Sequence, residues 1–93
     1  IILTGCGHAG IINTIKFAKK VTGVRKIYCV IGGFHLSGHG YEESIPLTIS
    51  ELKREDPQYV VPCHCTGWKA ANEIINKMPG KFIQPSVGST FCF

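Results

Sequence analysis

No apolar run in this chain approaches the roughly 18 residues that a membrane-crossing helix needs. No stretch carries the basic, apolar and small-residue blocks of a secretory signal. No membrane partner is therefore expected. Charge is scarce: 17% of the 93 residues are Asp, Glu, Lys or Arg, against 44% hydrophobic. So lightly charged a surface suggests that part of it meets another surface, a second copy of the chain being one outcome. The basic residues are not interleaved with aromatics, which argues against nucleic acid as a partner. The net charge of +4 fits either solvated helix faces or attraction for a phosphate-bearing small molecule. An even cysteine count is also missing. Cys6, Cys29, Cys63, Cys65 and Cys92 are five, and two of them sit in strand-like apolar runs. That reads as reduced thiols in a cytoplasm, not a disulfide framework. A starting methionine is absent too, the single Met being Met78. Ile1-Ile2-Leu3 reads as mid-strand, so the expectation is the C-terminal portion of a longer protein.

What is present is a regular alternation. Ile1–Thr4 predicts a strand and residues 5–9 a glycine-rich turn. From Gly10 a helix is expected, with Ile11, Ile15, Ala18 and Thr22 on one face and Gly23 as its left-handed cap. Lys26–Gly32 is a near-continuous run of β-formers, as in a strand buried on both faces. A loop over residues 33–44 follows. Ser44 is a candidate N-cap and Pro46 fits the first turn of the next helix, which runs to about Arg54 and is broken by Asp56-Pro57. Gln58–Pro62 predicts a third strand. Trp68–Met78 predicts a third helix, with Ala71, Ile74, Ile75 and Met78 inward. Lys81–Gln84 and Thr90–Phe93 read as short strands. The order β-α-β-α-β-α-β-β implies one α/β domain over residues 1–93, a mostly parallel sheet covered by helices.

Each of the four histidines falls just past the end of one of these strands: His8 after the first, His35 and His39 after the second, His64 after the third. In a parallel sheet those ends share one rim, where ligand sites of open α/β sheets form. Imidazole is the commonest zinc ligand and also a general acid or base, so the role of each histidine stays open on the spacing alone. Gly5, Gly7 and Gly10 match G-x-G-x-x-G, the register of a dinucleotide-binding loop. The acidic residue that should end the second strand is replaced by Gly32-Gly33, and His8 would crowd a pyrophosphate. A Rossmann-like nucleotide binder therefore remains an alternative only. Cys65-Thr66-Gly67 lacks the arginine of a cysteine-phosphatase loop, that position being Ala71, and Lys69 offers no bidentate fork. Cys63 and Cys65 flank His64. In an extended backbone such neighbours point to opposite faces, so these cysteines are expected to pack near the site.

Three blocks, TGCGHAGIINTI, IGGFHL and PCHCTGWKA, resemble the C-terminal half of metallo-β-lactamase-fold hydrolases. The likeness is to the 7,8-dihydropterin-6-methyl-4-(β-D-ribofuranosyl)aminobenzene 5′-phosphate synthase-like subgroup, and it extends over nearly the whole chain. The resemblance implies half of an αβ/βα sandwich with zinc or a similar divalent metal at the sheet rim of the full-length parent. It implies His8 and His64 as metal ligands. His35 stands as a ligand or as a catalytic, substrate-contacting residue, because the family's aspartate is missing at Gly32-Gly33. Thr66 and Gly67, at the start of a helix, are expected to donate hydrogen bonds to an anionic group of the substrate. The function so implied is metal-dependent hydrolysis of a phosphate or acyl substrate. The family's His-x-His-x-Asp-His string is absent, so this chain is expected to be inactive alone. The non-catalytic alternative is a self-associating domain fragment.

Overall fold

A computed structural model describes all 93 residues. Three strands, β1 (Ile2–Leu3), β2 (Cys29–Gly33) and β3 (Tyr59–Cys63), pair in the order β1-β2-β3, every pair parallel. Three helices, α1 (Ile11–Thr22), α2 (Ile45–Glu55) and α3 (Trp68–Lys77), follow the strands in turn. Single 3-10 turns at Glu42–Ser44 and His64–Thr66 lead into the last two helices.

The register explains the layering. Ile2, Val30 and Val60 lie abreast and all belong to one buried cluster with Ile11 and Ile15 of α1, Ile45, Ile49 and Leu52 of α2, and Ala70 and Ile74 of α3. The three helices therefore cover one face of the sheet. Side chains one position further along point to the other face. There Leu3, Ile31 and Val61 lie abreast, and burial climbs from Leu3, 77% exposed, to Val61, fully buried.

Local chemistry sets the helix ends. Gly23 takes the left-handed conformation (φ 72°) and its N–H closes on the Lys19 carbonyl at 2.9 Å. Asp56 does the same for α2 (φ 51°), its N–H reaching the Leu52 carbonyl at 3.1 Å. Proline at the first turn of α2 costs nothing, because no intrahelical N–H bond is due there. Ser44 does not cap α2: its hydroxyl donates to the Tyr41 carbonyl at 2.6 Å, tightening the 3-10 turn before the helix.

Two expectations are corrected. The inward face of α3 is Ala70, Ile74 and Met78; Ala71 is half-buried and Ile75 exposed. Both sets repeat at helical spacing, so periodicity alone does not choose between faces one residue apart. The last two strands do not form. Residue 82 makes one parallel bridge to Val60, and residues 90–93 carry no strand. The Pro85–Ser89 turn instead closes on itself, Ser86 N–H donating to Ser89 Oγ at 2.9 Å.

Candidate metal-binding rim

Because the strands are parallel, their C-terminal ends lie along one edge. The loop after β1 holds Cys6 and His8, the loop after β2 holds His35, and the 3-10 turn after β3 holds His64 and Cys65. Backbone contacts draw the loops together. Thr4 N–H donates to the Ile31 carbonyl and Gly33 N–H to the Gly5 carbonyl, each at 2.8 Å. The approach is close enough to need glycine on both sides: a Cβ at Gly7 would sit 2.3 Å from the Gly33 carbonyl oxygen, and one at Gly33 would sit 2.5 Å from that of Gly5. Gly7 thus seats the loop after β1 against the end of β2.

Two groupings result. His8 and His35 face each other with ring centroids 4.3 Å apart, and Tyr41 meets His35 edge-on at 4.4 Å. His35 adopts a left-handed backbone (φ 51°), uncommon for a residue with a Cβ. Its Nδ1 is buried with no hydrogen-bond partner. A cavity of about 340 Å³ opens beside this pair, lined among others by Asn13, Lys16, Tyr41 and Glu51. Lys16 and Glu51 pair across α1 and α2 at 3.4 Å.

The second grouping centres on His64, also left-handed (φ 52°). Cys6 Sγ lies 3.4 Å from His64 Nδ1 and 3.9 Å from Nε2. Ligand atoms of Cys6, His64 and Cys65 all lie within 4.8 Å of one another. The Cys65 thiol donates to the Cys6 carbonyl at 2.9 Å. Partial burial, then the hydrogen bond and proximity of the Cys65 thiol, hold the Cys6 thiol above its ordinary pKa. No group of three within that distance joins His8 or His35 to His64. His39 lies apart in an exposed loop.

The two residues expected to meet substrate sit differently. Thr66 is buried, and its hydroxyl donates to the Cys63 carbonyl at 2.8 Å while accepting the Phe34 N–H at 3.1 Å. With its one proton engaged, the hydroxyl acts as a strut between two loops. Gly67 (φ 80°) precedes α3, packed so closely on Ser37 that a Cβ would fall 2.6 Å from the Ser37 Cβ.

The convergence of Cys6 and Cys65 on His64 was not anticipated from alternation along a strand. The chain leaves extended geometry at His64, and a 3-10 turn brings adjacent side chains to one side. The available signal was the repetition of Cys beside His at two strand ends, Cys6-Gly7-His8 and Cys63-His64-Cys65.

The donor chemistry suits a zinc-type ion. Imidazoles and thiols bind borderline and soft cations, whereas magnesium and calcium require oxygen ligands; Gly32 and Gly33 bring none to the rim from their side chains. The orphaned Nδ1 of His35 is a buried group short of a partner, a cost of roughly 1–3 kcal/mol that a ligand relieves.

No protein-family model matches the chain. It is 38% identical over all 93 residues to 7,8-dihydropterin-6-methyl-4-(beta-D-ribofuranosyl)-aminobenzene-5′-phosphate synthase of Methanocaldococcus jannaschii, covering 31% of that protein. It is 36% identical over 74 residues to the uncharacterised protein MJ0448 of the same organism, covering 27% of it. Among solved structures, Tm1679, a metal-dependent hydrolase of the beta-lactamase superfamily, superposes with a TM-score of 0.79 at 32% identity. That match takes in 94% of this chain and 33% of the other. The chain thus spans a third or less of each of these proteins. Parallel strands under helices, with this likeness, give the chain an α/β fold that matches a segment of a β-lactamase-superfamily structure.

Proposed function

We infer that the protein containing this chain is a metal-dependent hydrolase acting on a phosphate or acyl substrate, with His8, His35 and His64 serving its metal centre. The observation that carries the reading is the delivery of imidazoles from three successive strand ends to one rim, one of them with a buried nitrogen that has no protein partner. The similarity to a metal-dependent hydrolase supports it. A zinc-type ion held there supplies Lewis-acid polarisation of a phosphoryl or acyl oxygen and an activated water. The chain's own residues bind and orient. The cavity beside His8 and His35 admits a small molecule, and Lys16 at its wall offers a cation for an anionic group. Tyr41 fixes the His35 ring from one side and His8 from the other. His35 is the residue of the pair whose free Nδ1 can take a ligand or hold a proton.

The test is hydrolysis of a chromogenic aryl phosphate by the intact protein, with and without a chelator. Activity is expected to fall with chelation and return with zinc. His8→Ala and His35→Ala should each lose at least 10- to 100-fold, the loss already seen when mere supporting residues of metal sites are removed. Full activity in both variants would contradict the assignment.

A second reading, self-association through the sheet, draws on the exposed Leu3 beside the half-buried Ile31 on the face without helices. Sizing of the intact protein decides it: a monomer at all concentrations rules it out.

A further inference from the structure

We propose that Cys6 and Cys65 join His64 as direct ligands, making this part of the rim a thiolate-rich site for a thiophilic cation such as zinc or cadmium. The proposal rests on the metal-centre reading above and adds to it the sulfur ligands and the class of metal.

The geometry is close to what such an ion demands. Zn–S bonds of about 2.3 Å and Zn–N bonds of about 2.0–2.1 Å at tetrahedral angles put sulfur and nitrogen about 3.5 Å apart and two sulfurs about 3.8 Å apart. Cys6 Sγ and His64 Nδ1 already stand 3.4 Å apart. With all three ligand atoms within 4.8 Å, each remaining gap exceeds its target by about 1.3 Å or less. For Cys65 the closure is a side-chain rotation away from the Cys6 carbonyl that its thiol now meets at 2.9 Å. Each thiol gives up its proton to solvent as it coordinates, because the ligand is the thiolate.

The surroundings are arranged for this group. Cys65 and Cys6 come within reach only because Gly33 has no side chain: a Cβ there would sit 2.8 Å from Cys65 Sγ and 3.0 Å from Cys6 Cα. His64 carries a left-handed backbone that turns it to the same side as Cys65. The Thr66 hydroxyl ties that turn to the end of β2. The ligands come from loops 58 and 59 residues apart in sequence, so the arrangement is not a by-product of one short turn. Cys6 and Cys65 are half-buried and His64 exposed, which leaves an entry path and a fourth position open, as in three-ligand zinc sites.

Cobalt(II), a spectroscopically visible substitute for zinc, is the probe. Added to the reduced intact protein under anaerobic conditions, it is expected to give sulfur-to-cobalt charge-transfer absorption in the near ultraviolet. Cys6→Ser and Cys65→Ser should each cut the band to about half and weaken cobalt binding by roughly 10-fold or more. Cys63→Ser, outside the cluster, should leave it intact. Absence of a charge-transfer band in the wild-type protein overturns the proposal without recourse to any variant, as does a band that survives loss of both thiols. Cobalt binding without that band leaves the histidine-based reading standing while this one fails. A thiolate band in a protein whose hydrolysis is indifferent to His8 and His35 gives the reverse.

Discussion

Thr66 shows how a residue in a suggestive motif can be spoken for by the fold. Its hydroxyl serves the buried Phe34 N–H on one side and the part-buried Cys63 carbonyl on the other. Thr66→Val keeps the shape and removes both bonds. It should cost about 1–3 kcal/mol, because the Phe34 N–H is left without a partner; denaturant unfolding measures it. Gly33→Ala should cost a similar ~1–3 kcal/mol through overpacking, since the added carbon meets a carbonyl oxygen at 2.5 Å, and the same experiment reads it. The histidine positions were legible because a residue just past a strand end needs only the strand boundary to be placed. The partners of those histidines were not. Cys6 meets His64 across 58 residues, and the left-handed turn that permits it leaves no periodic trace in the sequence. His64 and His35, both with positive φ, break the usual preference for glycine there, and residues that break a local rule concentrate at functional sites.

At the scale of elements, periodicity located all three helices, and their ends fell where Gly23 and Asp56 set them. What it could not decide was the exact inward face of α3: the expected set Ala71, Ile74, Ile75 and Met78 and the observed set Ala70, Ile74 and Met78 both fit helical spacing and share Ile74 and Met78. Packing against Val60 and Leu52 in one cluster resolves the choice. Ile74→Ala should therefore destabilise by about 2–5 kcal/mol, and Ile75→Ala, at an exposed position, by about 0.5 kcal/mol or less. Comparing the two by thermal or denaturant unfolding checks the rotation of the helix. The cap of α2 offers a pH test. Asp56 accepts a hydrogen bond from Lys81, and that bond, then the lysine's charge, holds its carboxyl below the usual range. A carboxyl depressed in the folded state contributes stability above its unfolded value, about 3.9, and loses it as pH falls through the folded value. Asp56→Asn keeps a residue that tolerates the left-handed cap. The variant should be less stable than wild type at neutral pH, and the gap should narrow as pH falls below the unfolded value of about 3.9 and close once the folded carboxyl is protonated.

For the whole molecule, the alternation of strand and helix was enough to give a parallel sheet with helices, and the parallel order then puts all strand ends on one rim. The two terminal strands did not follow, because Lys81–Gln84 has β-forming residues yet finds only a single bridge at the edge of β3, and isolated propensity does not make a strand without a partner. The sheet's second face, open at Leu3 and closed at Val61, is the part of the architecture that the alternation left undescribed. The rim carries two groupings, His8 with His35 and His64 with Cys6 and Cys65, each assembled from loops that no local interaction would bring together.

Metal content of the intact protein, purified without chelators and loaded with zinc, tests that claim most directly. Wild type should retain at least one zinc per chain after desalting. His64→Ala should lose it, while His39→Ala, changed in an exposed loop away from the cluster, should keep it. Zinc retained equally by His64→Ala, or none held by the wild-type protein, would contradict the account.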